Sequence, residues 1–259
     1  MNRTEITSSI TSYLKKKNIQ RIELRTAMFD MDGVLFDSMK NHAKCWHETM
    51  KHFGMHLPTE EAYMHEGRTG ASTINIVSMR DRGYEATEEE IQKIYGYKSD
   101  LFNLEPEAER MPGAYETLLK VKSSGITPMV VTGSGQKSLL ERLQHNFPDI
   151  FQPDLMVTAF DVKYGKPNPE PYLMGLEKAT AHFADPSFTM SYKNSIVIEN
   201  APLGVQAGVA SGCFTIAVNT GPLPDSALLD SGADLLFHSM QELADNWPLL
   251  YEAVNTTSI

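Results

Sequence analysis

The sequence predicts an α/β protein in which a doubly wound parallel sheet carries a separate bundle of helices inserted behind its first strand. Three observations carry this. From Pro112 onward, short and nearly continuous apolar runs alternate with helical patterns, as in βαβ units whose sheet is covered on both faces. From Met39 to Arg110 the pattern is helical throughout, with no convincing strand. Polar, chemically useful residues follow the apolar runs, where open parallel sheets bind their ligands.

Residues 1–20 read as an amphipathic helix, with Ile6, Ile10 and Leu14 four apart. Lys15-Lys16-Lys17 suits its C-terminal end and reads as a solvated terminus. The first strand covers 25–30. Helices follow at 39–53, 59–65, 72–82 and 87–102, broken by Gly54, Pro58, Gly67, Gly70 and Gly83. A helix over 112–123 opens the alternating part. Next come a strand at 126–132, a helix at 136–146, a short strand at 155–158 and a helix at 170–182. Ser195–Glu199 is a strand, 202–211 a helix, Phe214–Val218 a strand and Leu235–Phe237 a last apolar segment. Residues 1–38 and 110–259 form the sheet domain, and 39–109 form the bundle. There is no internal repeat.

A chain of 259 residues suffices for such a core plus a smaller domain. A net charge of −10 argues against nucleic acid or an anionic membrane as the main partner. Any phosphate site must therefore create positive potential locally, from a metal, a lysine or helix N-termini. Two cysteines, Cys45 and Cys213, give no disulfide framework and suggest a reducing, cytoplasmic setting. No apolar run approaches membrane-spanning length, and no secretory leader is recognisable.

The most informative segment is Met28-Phe29-Asp30-Met31-Asp32-Gly33-Val34-Leu35-Phe36-Asp37-Ser38. Asp30 and Asp32 project the same way at the end of a strand, because strand side chains repeat every two residues. Their repulsion is relieved by a cation or a shared proton. The pair suits a carboxylate nucleophile (Asp30) with an acid/base partner (Asp32) beside a divalent metal. Thr132-Gly133-Ser134-Gly135 follows the second strand. It reads equally as an anion cradle of hydroxyls and amides or as an ordinary glycine turn. Lys166 lies between Gly165 and a loop stiffened by Pro167 and Pro169, where its ammonium could neutralise Asp30 and a phosphate. Glu199 and Asn200 end the fourth strand as oxygen donors of the kind Mg2+ accepts.

In this order, the motifs resemble the haloacid dehalogenase superfamily of phosphotransferases, and within it the β-phosphoglucomutase-like group with a helical cap. The likeness spans about residues 24–237. It implies a Rossmann-like core with the cap inserted after the first motif. It implies Asp30 as the nucleophile that becomes an aspartyl phosphate, and Asp32 as acid/base with its carbonyl on the metal. Thr132 (with Gly133 and Ser134) and Lys166 would bind phosphate, and Glu199 and Asn200 fall on the acidic pair of the fourth motif. Asp30, Asp32, Glu199 and Asn200 would then hold Mg2+. Asn200 departs from the pattern, since a carboxylate is usual there. The loss of that charge predicts Mg2+ binding weaker by ~1–2 kcal/mol. His42 and Lys98 resemble cap residues of β-phosphoglucomutases, and Trp46, one turn after His42, fits the same wall. His42 reads equally as a packing histidine. Arg68, in the loop Gly67-Arg68-Thr69-Gly70, does not align cleanly with the mutase arginine but could reach a substrate.

Other readings fail on spacing. Asp30–Asp37 lacks the later ligands of an EF-hand, and Ser138 stands where a dinucleotide fingerprint needs its third small residue. There is no Walker lysine and no nucleophile elbow. His52 and His56 flank Gly54, which spoils a helical zinc pair. The functional expectation is a phosphatase acting on a small phosphorylated metabolite, a sugar phosphate first. The alternative is a β-phosphoglucomutase, and the third is a noncatalytic phosphometabolite-binding protein. A monomer or weak dimer is expected.

Overall fold

The computed structural model describes residues 2–135, 139–185 and 189–259. Six apolar segments pair into one parallel sheet: β1 (Thr26–Phe29), β2 (Thr127–Val131), β3 (Met156–Val157), β4 (Ser195–Glu199), β5 (Phe214–Val218) and β6 (Leu235–Phe237). Their spatial order is β3-β2-β1-β4-β5-β6. The chain builds outward from β1 to one edge, then returns to β1's other side with β4. That reversal is a topological switch point, where side chains from neighbouring strand ends face one crevice. The register sets which ones. Phe29 lies opposite both Val130 and Ile198, so Asp30, Thr132 and Glu199 emerge together at the carboxyl edge.

Helices cover both faces, as the near-continuous apolar strands require. On one face Ile6, Ile10 and Leu14 of α1 (Arg3–Lys17) join Leu118 of α6 (Ala114–Ser123) and Trp247 of α11 (Met240–Thr256). On the other, Tyr172 and Leu176 of α8 (Glu170–Phe183) and Ala207 of α9 (Pro202–Ser211) pack on Met28, Met129 and Val197. Between β1 and α6 lie α2 (Met39–His52), α3 (Thr59–Met64), α4 (Gly70–Arg82) and α5 (Glu88–Leu104). These four surround an apolar cluster of their own, including Met50, Leu57, Ile74, Val77 and Ile94. Capping explains two starts. Thr69 Oγ1 accepts from Ser72 N, and Thr87 and Glu90 form a reciprocal box at the head of α5.

Most predicted elements lie within two residues of the observed ones. The helix predicted over 112–123 begins at Ala114, because Gly113 takes a left-handed φ of 85° against the start of α11. Of the helix predicted over 136–146, Leu139–Asn146 is α7, and 136–138 lie outside the described residues. Two helices were not anticipated, α10 (Asp225–Leu229) and α11. α11 contains Pro248, which lacks the N–H that Ala244 C=O would accept. Lys120 Nζ takes that donor's place at 2.9 Å, so the helix continues through its proline.

Candidate active site

The carboxyl edge of the sheet is organised around one ammonium. Lys166 Nζ contacts Asp30 Oδ1, donates to Val131 O at 3.1 Å and lies 2.6 Å from Glu199 Oε1. It thereby ties together the ends of β1, β2 and β4. Glu199 is engaged on both oxygens. Tyr172 OH donates to Oε1 at 2.7 Å, and Asn200 N and Ala201 N donate to Oε2 at 3.0 and 3.3 Å. Gly204 in the first turn of α9 makes room for it, since a Cβ there would stand 1.9 Å from Oε1. Burial pushes the Asp30 carboxyl up to about 8; Lys166 opposes this, while Glu199 and Asp32 add to it. Burial also works against the Lys166 ammonium, but Asp30 and Glu199 outweigh it and keep the charge in place.

Asp32 sits in a different field. Ser38 Oγ donates to Asp32 Oδ1, and His42 Nε2 lies 3.3 Å from the same oxygen. Burial alone would raise this carboxyl, but His42, Ser38 and Arg142 outweigh it and hold it below the usual carboxylate range. Lys98 Nζ is 2.8 Å from His42 Nδ1. An ammonium has only donors, so Nδ1 accepts and the imidazole proton sits on Nε2, facing Asp32. Burial, then Lys98, lowers the pKa of His42, which keeps it neutral. The ring stacks on Phe102 at 4.1 Å between centroids, and Lys98 lies 5.6 Å over Trp46. Asp30 and Asp32 thus differ: one shares an ammonium, and the other accepts from a hydroxyl and a neutral imidazole.

Thr132 begins the turn after β2 and is buried. Its Oγ1 accepts from Ser134 N at 3.0 Å, which leaves the hydroxyl proton free to donate. Gly133 and Ser134 continue the turn beside it and line the same chamber.

Glu66, on the loop between α3 and α4, was not anticipated. Its Oε1 accepts from Asn200 Nδ2 at 2.9 Å, and both side chains are buried. Burial, then Asp30, raises this carboxyl well above its ordinary range. Asn200 Oδ1 is buried without a hydrogen-bond partner. Gly33 permits the approach, since a Cβ there would lie 2.0 Å from Asn200 Nδ2. A signal for Glu66 existed. An amide where a carboxylate is expected calls for another carboxylate nearby, and Glu66 adjoins the loop already singled out for Arg68.

Asp30, Asp32, His42, Glu66, Arg68, Lys98, Thr132, Gly133 and Ser134 line one chamber of about 80 Å3. Lys166 and Glu199 close its floor through Asp30, and Asn200 through Glu66. Trp46, His65 and Tyr95 are among the other wall residues. Tyr95 packs on Gly70, where a Cβ would stand 2.3 Å from its ring. The two expected residues His42 and Lys98 therefore lie in a chain that ends on Asp32, and Tyr172 and Ser38 are polar partners that strand-end reasoning did not find.

The chamber's chemistry fits a hard divalent cation. Asp30 and Glu66 carboxylates, the Asp32 carbonyl and the Asn200 amide oxygen are the oxygen donors Mg2+ prefers, and the orphaned Asn200 Oδ1 lacks only a partner. Among the described residues, no three His, Cys, Asp or Glu side chains form a preformed cation cluster. Glu199 could join a metal only by releasing one of its four donors.

Residues 27–218 match the family described as "Haloacid dehalogenase-like hydrolase". Hexitol phosphatase A of Escherichia coli is 28% identical over 217 residues, 83% of this chain and 91% of that protein. A solved structure from Bacteroides vulgatus, named "Putative beta-phosphoglucomutase", is 60% identical with a TM-score of 0.93, covering 98% of this chain and 100% of the other. The β-phosphoglucomutase of Clostridium difficile, 22% identical with a TM-score of 0.73 over 90% of this chain and 97% of its own, shares the fold.

Proposed function

The chain belongs to the haloacid dehalogenase-like hydrolases, and from that premise we propose that it is a Mg2+-dependent phosphatase of small phosphorylated metabolites that works through an aspartyl phosphate on Asp30. The observation that carries this reading is the division of labour between two carboxylates two residues apart. Asp30 faces an ammonium that would also neutralise an incoming phosphoryl group, while Asp32 is held ionised by Ser38 and His42. Asp30 attacks phosphorus, the bond to the leaving oxygen breaks, and Thr132 and Lys166 hold the phosphoryl oxygens throughout. Asp32 then takes a proton from the water that attacks the aspartyl phosphate. When bound, Mg2+ would neutralise charge on the transferring phosphoryl group, held by Asp30, the Asp32 carbonyl, Asn200 and Glu66. Glu199 serves chiefly to anchor Lys166. Residues 39–109 act as the cap and the remainder as the core, and the closed cap excludes bulk water.

Chamber size bears on the substrate. About 80 Å3 is well below the 300–1,000 Å3 of ordinary ligand pockets. An ionised Asp32 acts as an acid only after taking up a proton, so leaving groups that depart as weakly basic anions need it least. Both points favour small phosphoryl donors. The mutase reading draws on the His42–Lys98 pair and on the name of the 60% identical relative, but a hexose bisphosphate would need a larger chamber. A size-graded panel with Mg2+ decides. It runs from inorganic pyrophosphate through glycerol phosphates to hexose phosphates, with β-glucose 1-phosphate and a bisphosphate primer included. We expect phosphate release with kcat/KM falling as the leaving group grows. Isomerisation of glucose 1-phosphate without phosphate release would select the mutase.

A further inference from the structure

Resting on the phosphoryl-transfer reading, we infer that Gly133 and Gly165 are positioning residues: with Gly67 they form a side-chain-free seat on which the cap loop closes, and the seat sets Glu66 and Lys166 in place. The loop joining α3 to α4 crosses the core loops that follow β2 and β3. A Cβ at Gly133 would lie 3.1 Å from Gly67 O and 3.3 Å from Arg68 O. A Cβ at Gly165 would lie 2.8 Å from Thr69 Cγ2 and 3.1 Å from Thr69 N. Gly67 in turn rests on the Lys166 stem, where a Cβ would stand 3.0 Å from Cδ.

The backbone does not explain two of these glycines. Gly67 has a left-handed φ of 85°, which disfavours any side chain. Gly133 and Gly165 do not have left-handed φ values. What keeps a side chain away from them is the cap loop. Three separate loops thus meet backbone to backbone at the mouth of the chamber. The same docking brings Glu66 Oε1 to 2.9 Å from Asn200 Nδ2 and lays the cap against the lysine whose ammonium lies 2.6 Å from Glu199. The docked loop therefore touches the core at two functional points, Asn200 through Glu66 and the stem of the lysine whose ammonium contacts Asp30.

The test uses Gly165→Ala in the full chain, with Thr69→Ser and the double variant beside it. Thr69→Ser deletes the obstructing Cγ2 yet keeps the hydroxyl that caps α4. Hydrogen exchange of the ligand-free protein reads the seat directly. Gly165→Ala is expected to speed amide exchange in residues 65–70 by about tenfold while β1, β2 and β4 exchange as in the parent. The double variant is expected to recover most of that protection and to recover kcat/KM on the best substrate, which the single variant loses by about tenfold. Unchanged exchange in Gly165→Ala, or a loss that Thr69→Ser does not relieve, would overturn the inference. Failure to form an aspartyl phosphate would instead sink the phosphatase reading, and exchange in the ligand-free protein does not depend on it.

Discussion

Lys98 is one residue with opposite pH effects on activity and stability. Burial lowers its ammonium from 10.5 to about 8, while its proton still fixes the tautomer of His42. As pH rises through about 8 this ammonium is lost, so kcat/KM is expected to fall on the alkaline side. In Lys98→Met the alkaline limb should vanish and the plateau drop by about tenfold; an unaltered limb would assign it to another group. Stability runs the other way. Between about 8 and 10.5 the unfolded chain binds more protons at this lysine than the folded one, so its contribution to stability rises with pH across that window. At this scale the sequence was legible where chemistry follows a strand. Asp30, Thr132 and Glu199 converge because an apolar run that ends in a polar residue announces where the side chain will emerge, and Asp32 and Lys166 join them from the loops beyond β1 and β3. Tyr172 was illegible for the opposite reason, and Glu66 was signalled only indirectly, by the amide at position 200. Each reaches the site from a helix or loop far away in sequence, and only packing brings Glu66 to Asn200 and Tyr172 to Glu199.

Elements were legible in proportion to their periodicity. Ser195–Glu199 and Phe214–Val218 match the observed strands, since both are short apolar runs between turns. α11 was missed although Met240, Leu243, Ala244, Trp247, Leu250 and Val254 trace one face, because a proline interrupts the pattern. Its continuity depends on another helix. Lys120 of α6 donates to the carbonyl that Pro248 leaves without a backbone donor. Lys120→Met is therefore expected to lower stability by about 1 kcal/mol, the usual net value of one such hydrogen bond. The same change made in a Pro248→Ala background should cost less, because the backbone N–H then serves Ala244. Equal costs in urea titrations of both backgrounds would refute the coupling.

For the whole molecule, the topology made the site predictable before any residue was placed. A sheet that reverses its winding at β1 opens a crevice between β2 and β4, and the four inserted helices roof it. The overall charge of −10 leaves cations at the site itself: Arg68 and Lys98 line the chamber beside Asp30, Asp32 and Glu66, and Lys166 contacts Asp30 from below. What composition and periodicity could not reveal was how tightly the roof sits, a matter of Gly133 and Gly165 meeting residues 67–69 of the roof and Gly67 meeting the Lys166 stem. The central claim is that the carboxylate at position 30 accepts the phosphoryl group. Rapid acid quench during turnover, followed by borohydride reduction and peptide mass spectrometry, tests it most directly. Homoserine, the reduction product of a phosphorylated aspartate, is expected at position 30, and none in Asp30→Asn. Turnover without that product, or with the mark on another residue, would contradict it.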